Sequence, residues 1–281
     1  MSDYMSKSRQ RIVGNLFGFT LVELLIVMAV SSVVLIGVTN FITQTMQNSA
    51  QQIATSKLQQ NQRGALAIME KELRKIGMDR KLSNNFHITD VRRYSIVGPA
   101  DTAVPDENGS PVLRMQVDLN DDGRLGSNET ITYSLYDKNG DGQPPWELGR
   151  STTMPGSDAI TNLQMLAEGV EASGLAFAYA FDADGDGMID RGTAVAGEPI
   201  IWAMDSDNDG TLDTDINGND IDDVPLEKIK GVRFWLLGRT QHEDLKHLNN
   251  RQYAVGDQLI GPFNDHFRRW LLSEIIHCRN L

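Results

Sequence analysis

From Phe19 to Ile42 the chain is almost wholly apolar or small, and Glu23 is the one charge in the run. As a helix this stretch extends ~36 Å, enough to cross a ~30 Å hydrocarbon core. The polar leader before it carries Lys7, Arg9 and Arg11. Basic residues on that side predict a leader kept in the cytoplasm and an exported remainder. Glu23 is costly one turn into such a helix unless something neutralises it, which marks it as functional. In a plain signal anchor it would sit at the polar interface and favour the helix N-terminus.

The run Gly18-Phe19-Thr20-Leu21-Val22-Glu23 ahead of an apolar helix resembles the precursors of type IV pilins and pseudopilins. The resemblance implies that a prepilin peptidase cuts between Gly18 and Phe19 and methylates the new amine of Phe19. It further implies that Glu23 pairs with the terminal amine of a neighbouring subunit in a filament. Burying an ammonium beside a carboxylate takes both charges out of water together, whereas either alone is penalised. The implied partners are membrane lipid before assembly, the inner-membrane assembly platform, and other major and minor pilins. The implied location is a single-pass inner-membrane protein with a periplasmic head, which then passes to the pilus or cell surface.

Behind Ile42 the sequence turns polar without proline, and Ala54, Leu58, Ala65, Met69, Leu73 and Ile76 recur at helical spacing. One narrow apolar stripe predicts that the helix continues to about Ile76, with Gly77 as its C-cap. A solvent-exposed coiled coil would show nearly the same pattern. From about Arg80 short strands separated by Asp, Asn and Gly turns follow. They are expected at Val91–Val97, Val112–Val117, Thr130–Tyr136, Leu175–Phe181, Ile200–Met204 and Gly231–Leu237. Leu163–Ala167 suits strand or helix, and Phe267–Leu281 satisfies both spacings. The expected fold is α+β: a long N-terminal helix, membrane-spanning in its first half, packed by its second half on an antiparallel β head with calcium-binding loops. The expected divisions are a leader (1–18), a spanning or filament-core helix (19–42), its amphipathic continuation (43–77) and the head (78–281).

Within the pilins, Leu166-Ala167-Glu168-Gly169-Val170, Leu175-Ala176-Phe177-Ala178-Tyr179 and Val232-Arg233-Phe234-Trp235-Leu236 resemble the PilW-type minor pilins. So does the ending Arg268-Arg269-Trp270-Leu271-Leu272 with Arg279-Asn280-Leu281, and by that resemblance the closing stretch is a strand.

Four acidic loops repeat one pattern. Asp118, Asn120 and Asp122 stand at positions one, three and five, Gly123 at six, Arg124 at seven and Glu129 at twelve. This is the full D-x-[DN]-x-[DN]-G-x₅-E spacing, which offers a calcium ion side-chain oxygens, the Arg124 carbonyl and a closing carboxylate. A second loop has Asp182, Asp184, Asp186 and Asp190, and a third Asp205, Asp207, Asp209 and Asp213. Asp213, Asp215 and Asn217 begin the pattern again. That run resembles the Asp-rich calcium repeats of thrombospondin type 3 and dockerin modules. The fourth loop, Asp137, Asn139 and Asp141, has Leu148 at twelve and hence no closing acid by spacing. Asp-Gly and Asn-Gly turns alone would account for one such loop, but not for Asp or Asn at alternating positions before Gly four times over. Between Asp182 and Asp223 the only basic side chain is Arg191, so divalent ions would relieve strong self-repulsion. Several calcium ions are therefore the expected cofactor.

Other chemistry is missing from the sequence. The five histidines make no metal-ligand spacing, there is no GxSxG or P-loop run, and Cys278, the lone cysteine, suits a core position. No enzyme activity is expected. The net charge of −12 argues against a nucleic-acid partner. Three functions compete: a minor pilin that initiates or caps a type IV pilus, a pseudopilin (J-like) at the tip of a type II secretion apparatus, and a calcium-dependent tip adhesin.

Overall fold

A computed structural model of the chain describes residues 19–77, 86–98, 101–157, 159–191, 200–214 and 222–278. The leader with Gly18, the positions Asp215 and Asn217, and residues 279–281 lie outside this set. The helix α1 runs Leu21–Leu73. Contacts group the chain into residues to Ala50 and residues from Gln51, and the two groups are described in turn.

In the first group α1 carries no buried side chain, and its exposed residues are chiefly Leu, Val, Ile, Ala and Met. The few hydroxyls are folded away: Ser32, Thr39, Thr43 and Thr45 each donate to the carbonyl four residues back, at 2.7–2.9 Å. Such back-bonding leaves little unsatisfied polarity for lipid to penalise.

In the second group α1 turns one face inward through Leu58, Gln62, Ala65, Met69 and Leu73. Their spacing of three and four residues makes the single stripe that amphipathic packing requires. Past Leu73 the last turn tightens, with Ile76 N–H donating to the Leu73 carbonyl, and Gly77 takes a φ of 76°. The helix therefore stops three residues earlier than its stripe alone indicates.

The strands follow as β1 (Ile88–Asp90), β2 (Arg93–Tyr94), β3 (Ser110–Pro111), β4 (Leu113–Gln116), β5 (Thr130–Tyr136), β6 (Trp146–Thr153) and β7 (Gln164–Phe181). After them come β8 (Leu212–Thr214), β9 (Asp222–Val224), β10 (Ile229–Arg239), β11 (Tyr253–Val255), β12 (Gln258–Ile260) and β13 (Arg269–His277). Seven make one sheet in the order β1-β4-β5-β6-β7-β10-β13, antiparallel at every pairing. Ala65, Met69, Leu73 and Ile76 bury themselves against it with Met115, Ile131, Tyr133, Leu148, Val170, Phe177, Phe234 and Leu236. Each Met, Leu, Ile, Val or Phe among them contributes about 1.5–3 kcal/mol on burial. The fold is α+β as expected, with several differences in detail.

Val91–Val97 is not one strand. The Asp90 carboxylate accepts the Arg92 N–H, the Arg92 and Arg114 guanidiniums and the Tyr94 hydroxyl. The chain therefore turns between β1 and β2. Ile200–Met204 forms no ladder; it joins β7 only through the Tyr179–Ala203 backbone pair at 2.8 and 2.9 Å. Leu163–Ala167 and Leu175–Phe181 belong largely to one long strand, β7, whose pairing with β10 shifts register between Val170 and Leu175. β6 has no apolar alternation to announce it, because it lies mid-sheet and carries Glu147 and Arg150 in polar contacts. The closing stretch is the edge strand β13, paired with β10 at nine positions without a shift.

Candidate metal loops and the N-terminal motif

At the start of α1, Thr20 and Glu23 cap each other. The Thr20 N–H and hydroxyl both donate to Glu23 Oε2 at 2.9 Å, and the Glu23 N–H donates to Thr20 Oγ1 at 3.2 Å. This reciprocal capping box satisfies donors that a helix start otherwise leaves open. Both Thr20 bonds end on Oε2; none to Oε1 is found among the described residues. Phe19, immediately before, is largely exposed.

The four acidic loops share one backbone design. Position four is left-handed in each, at Asp121, Gly140, Gly185 and Asn208, and so is the glycine at position six. Only glycine, or Asn and Asp at a small cost, adopts that conformation readily. Two successive reversals let the first-position carboxylate face the loop's own N–H groups. Asp118 accepts from Asp122 and Gly123, at 3.2 and 2.8 Å. Asp137 accepts from Asn139, Gly140 and Gly142, at 3.0, 2.8 and 2.6 Å. Asp182 accepts from Gly185 and Gly187, at 2.7 and 2.9 Å. The Asp205 carboxylate takes the Gly210 N–H at 3.0 Å on Oδ2. Positions three and five hold the turn in the same way: Asn120, Asp122, Asp141, Asp184, Asp186, Asp207 and Asp209 each accept the N–H two residues on. All four first-position aspartates are buried.

Each loop is also closed from its far end by an acid that accepts the N–H of residue two. Glu129 takes the Leu119 N–H at 2.9 Å and Asp190 takes the Ala183 N–H at 2.8 Å. Asp213 takes the Ser206 N–H. In the fourth loop the acid is Glu147, which takes the Lys138 N–H at 3.2 Å. The spacing expectation that this loop lacks a closing acid is corrected here. Glu147 stands at position eleven, and Trp146 to Thr153 bring it back alongside β5, where it pairs with Tyr136. An acid within one residue of position twelve was the available signal.

Convergence of carboxylates differs among the loops. Asp182, Asp184 and Asp190 bring one oxygen each to within 4.8 Å of the others, as do Asp205, Asp207 and Asp209. Asp186 and Asp213 stand outside these groups, and so does the loop from Asp118. Electrostatics differ too. At Asp182 burial pushes the pKa up, but the Gly187 and Gly185 amides and Lys230 outweigh it and leave the carboxyl more acidic than usual. At Asp205 burial prevails, aided by Asp209 and Asp213, and the pKa rises to about 6. Burial likewise raises Glu147, with Asp137 and Glu168 adding to it against the Lys138 N–H and charge. The carboxylates grouped at Asp182 and at Asp205 can hold a divalent ion, whose charge would offset the repulsion.

Elsewhere, Cys278 is buried in the core, and so are Trp146 and Trp235. Trp202 faces the Arg233 guanidinium, and Trp270 is partly exposed. A cleft of about 280 Å³ lies among β2–β3, the irregular part of β7 and β11–β12, and no ligand residue of the acidic loops lines it.

Residues 133–280 match the family described as Type IV Pilus-assembly protein W. Residues 17–39 match the Prokaryotic N-terminal methylation motif. The first match contains three of the four loops; the loop from Asp118 to Glu129 lies before it. Among solved structures, a type IV-like pilin from Thermus thermophilus is similar at 12% identity, over 80% of this chain and 98% of that one, with a TM-score of 0.39. No curated protein matches the sequence.

Proposed function

Because the chain belongs to the type IV pilus-assembly protein W family, we propose that it works as a minor pilin that initiates or caps type IV pilus assembly. The observation that carries this reading is the start of α1. A capped Glu23 opens an apolar, unburied helical stretch within the residues that match the methylation motif. A prepilin peptidase releases residues 1–18, and Phe19 becomes the methylated N-terminus. The apolar stretch holds the subunit in the inner membrane, with the head in the periplasm, until the assembly platform passes it to a filament of other pilins. In that filament Glu23 Oε1 receives the terminal amine of a neighbour while Oε2 keeps its Thr20 bonds. The matched family is one of pilus assembly, which favours this role over a secretion pseudopilin.

The head is stabilised by calcium in the acidic loops, through Asp118, Asn120, Asp122, the Arg124 carbonyl and Glu129, through Asp182, Asp184, Asp186 and Asp190, and through Asp205, Asp207, Asp209 and Asp213. Asp137, Asn139, Asp141 and Glu147 form the fourth loop, and Asp215 and Asn217 extend the third. Exported calcium modules have Kd values of roughly 10⁻⁴–10⁻³ M, so at ten times Kd each site adds about 1.4 kcal/mol. Magnesium substitutes poorly, since its small octahedral shell keeps its waters.

Mass spectrometry of the protein from sheared pili tests the role, with N-methylated Phe19 expected as the first residue. Protein that is absent from pili, or present there with Met1 intact, refutes it. Thermal melts of the full chain in detergent, with chelator, calcium or magnesium, test the metal reading. An unchanged melting temperature at millimolar calcium refutes that part alone.

A further inference from the structure

We propose that, of the four loops, the one opening at Asp205 holds calcium most tightly, with the buried Asp205 Oδ1 as a direct ligand. This rests on the calcium reading above and ranks sites within it.

The distinction lies in what each first-position carboxylate already has. Asp118, Asp137 and Asp182 have both oxygens bonded to backbone N–H groups of their own loop. Asp205 has only Oδ2 bonded, and among the described residues Oδ1 is buried without a hydrogen-bond partner. The residue as a whole is 7% exposed. In the loops from Asp137 and Asp182, the oxygen opposite the one bound by position six faces the N–H of position four. The Asn208 amide lies close enough to lower the pKa of the carboxyl but forms no hydrogen bond to Oδ1. The Asn208 side chain is meanwhile engaged outside the loop, accepting the Arg93 N–H.

A buried, charged oxygen without a partner carries the full cost of its lost hydration. A cavity of about 10 Å³ is lined by both Asp205 and Tyr179, and the Tyr179 hydroxyl is likewise buried without a hydrogen-bond partner among the described residues. That space has room for about one water. A neutral hydroxyl, even through a water, supplies a hydrogen bond but no countercharge. The groups that do converge on Asp205 within 4.8 Å are the carboxylates of Asp207 and Asp209, which worsen the repulsion unless a cation stands among them. In the other loops an entering ion adds to a carboxylate already satisfied. At Asp205 it also removes a penalty present in the empty loop, and that relief adds to its affinity.

The test is a calcium titration by calorimetry on the chelated full-length protein in detergent micelles, paired with melts of the metal-free form. Asp205→Asn is expected to weaken the tightest binding step by about tenfold or more, and so is Asp207→Asn, an exposed position that leaves the fold intact. Asp118→Asn and Asp182→Asn leave that step in place. In the metal-free protein the signs separate the loops again. Asp205→Asn leaves the melting temperature unchanged or raises it, since it removes an unpaired buried charge. Asp118→Asn and Asp182→Asn lower it, since an amide NH₂ then opposes a backbone N–H. A tightest step that survives both Asp205→Asn and Asp207→Asn overturns the proposal, and so does a metal-free melting temperature that falls with Asp205→Asn as far as with Asp182→Asn. A wild-type protein that takes up no calcium refutes the calcium reading itself.

Discussion

Glu72→Ala tests what fastens α1 to the head, and its cost can be worked from the contacts. The Glu72 carboxylate receives Arg150 Nε on both oxygens at 3.0 Å and Nη2 at 2.8 Å, and the Tyr133 hydroxyl also donates to it. Burial, with the Glu72 charge adding to it, holds the Tyr133 pKa well above its usual value, so the hydroxyl stays a donor. The Arg150 and Glu72 side chains keep only 17% and 13% of their exposure. Removing one partner of a buried pair costs ~3–5 kcal/mol, because the other charge is left desolvated and unpaired. The residual exposure lets some water reach Arg150, which places the loss at about 3 kcal/mol, or roughly two orders of magnitude in the folding equilibrium. Urea unfolding of the full chain in detergent, followed by tryptophan fluorescence, measures it. Replacing both partners by Met is expected to cost far less than the sum of the single changes, since the apolar pair leaves no charge behind. A loss below about 1 kcal/mol for Glu72→Ala, or strict additivity in the double variant, would show that the pair does not seat the helix.

Met69→Ala removes a fully buried side chain between α1 and the sheet and should cost about 2–5 kcal/mol in the same assay. Gly169→Ala places a Cβ 2.7 Å from the Arg239 carbonyl oxygen at a φ of 78°, so a loss of about 1–3 kcal/mol is expected. Burial raises the Cys278 thiol to about 12, so a thiol reagent at pH 8 should label the protein only after denaturation. Glu23→Ala should still insert in membranes, since it removes the charge from the apolar stretch, yet enter pili poorly; piliation equal to wild type would deny the carboxylate any assembly role.

What the chain's order alone determined is what short-range chemistry decides. A membrane-length apolar run, a carboxylate three residues after Thr20 and the spacing of Asp, Asn and Gly are all local. Their physics is complete within about a dozen residues, so the helix, the methylation motif and the acidic loops were legible directly. Thr130–Tyr136 was legible as well, since its turn signals bracket it. The tertiary structure decided whatever depends on partners far away in the chain. β6 carries no alternation because Arg150 answers Glu72, 78 positions earlier in the chain. The turn at Asp90 arises because Arg114, 24 residues on, shares that carboxylate. Glu147 closes the fourth loop because β6 folds back along β5. The difference between Asp205 and Asp182 likewise cannot be read from two nearly identical acidic runs. It follows from what the packed head sets around each carboxylate: Lys230 lies 3.9 Å from Asp182, whereas beside Asp205 the Asn208 side chain accepts the Arg93 N–H, 115 residues away.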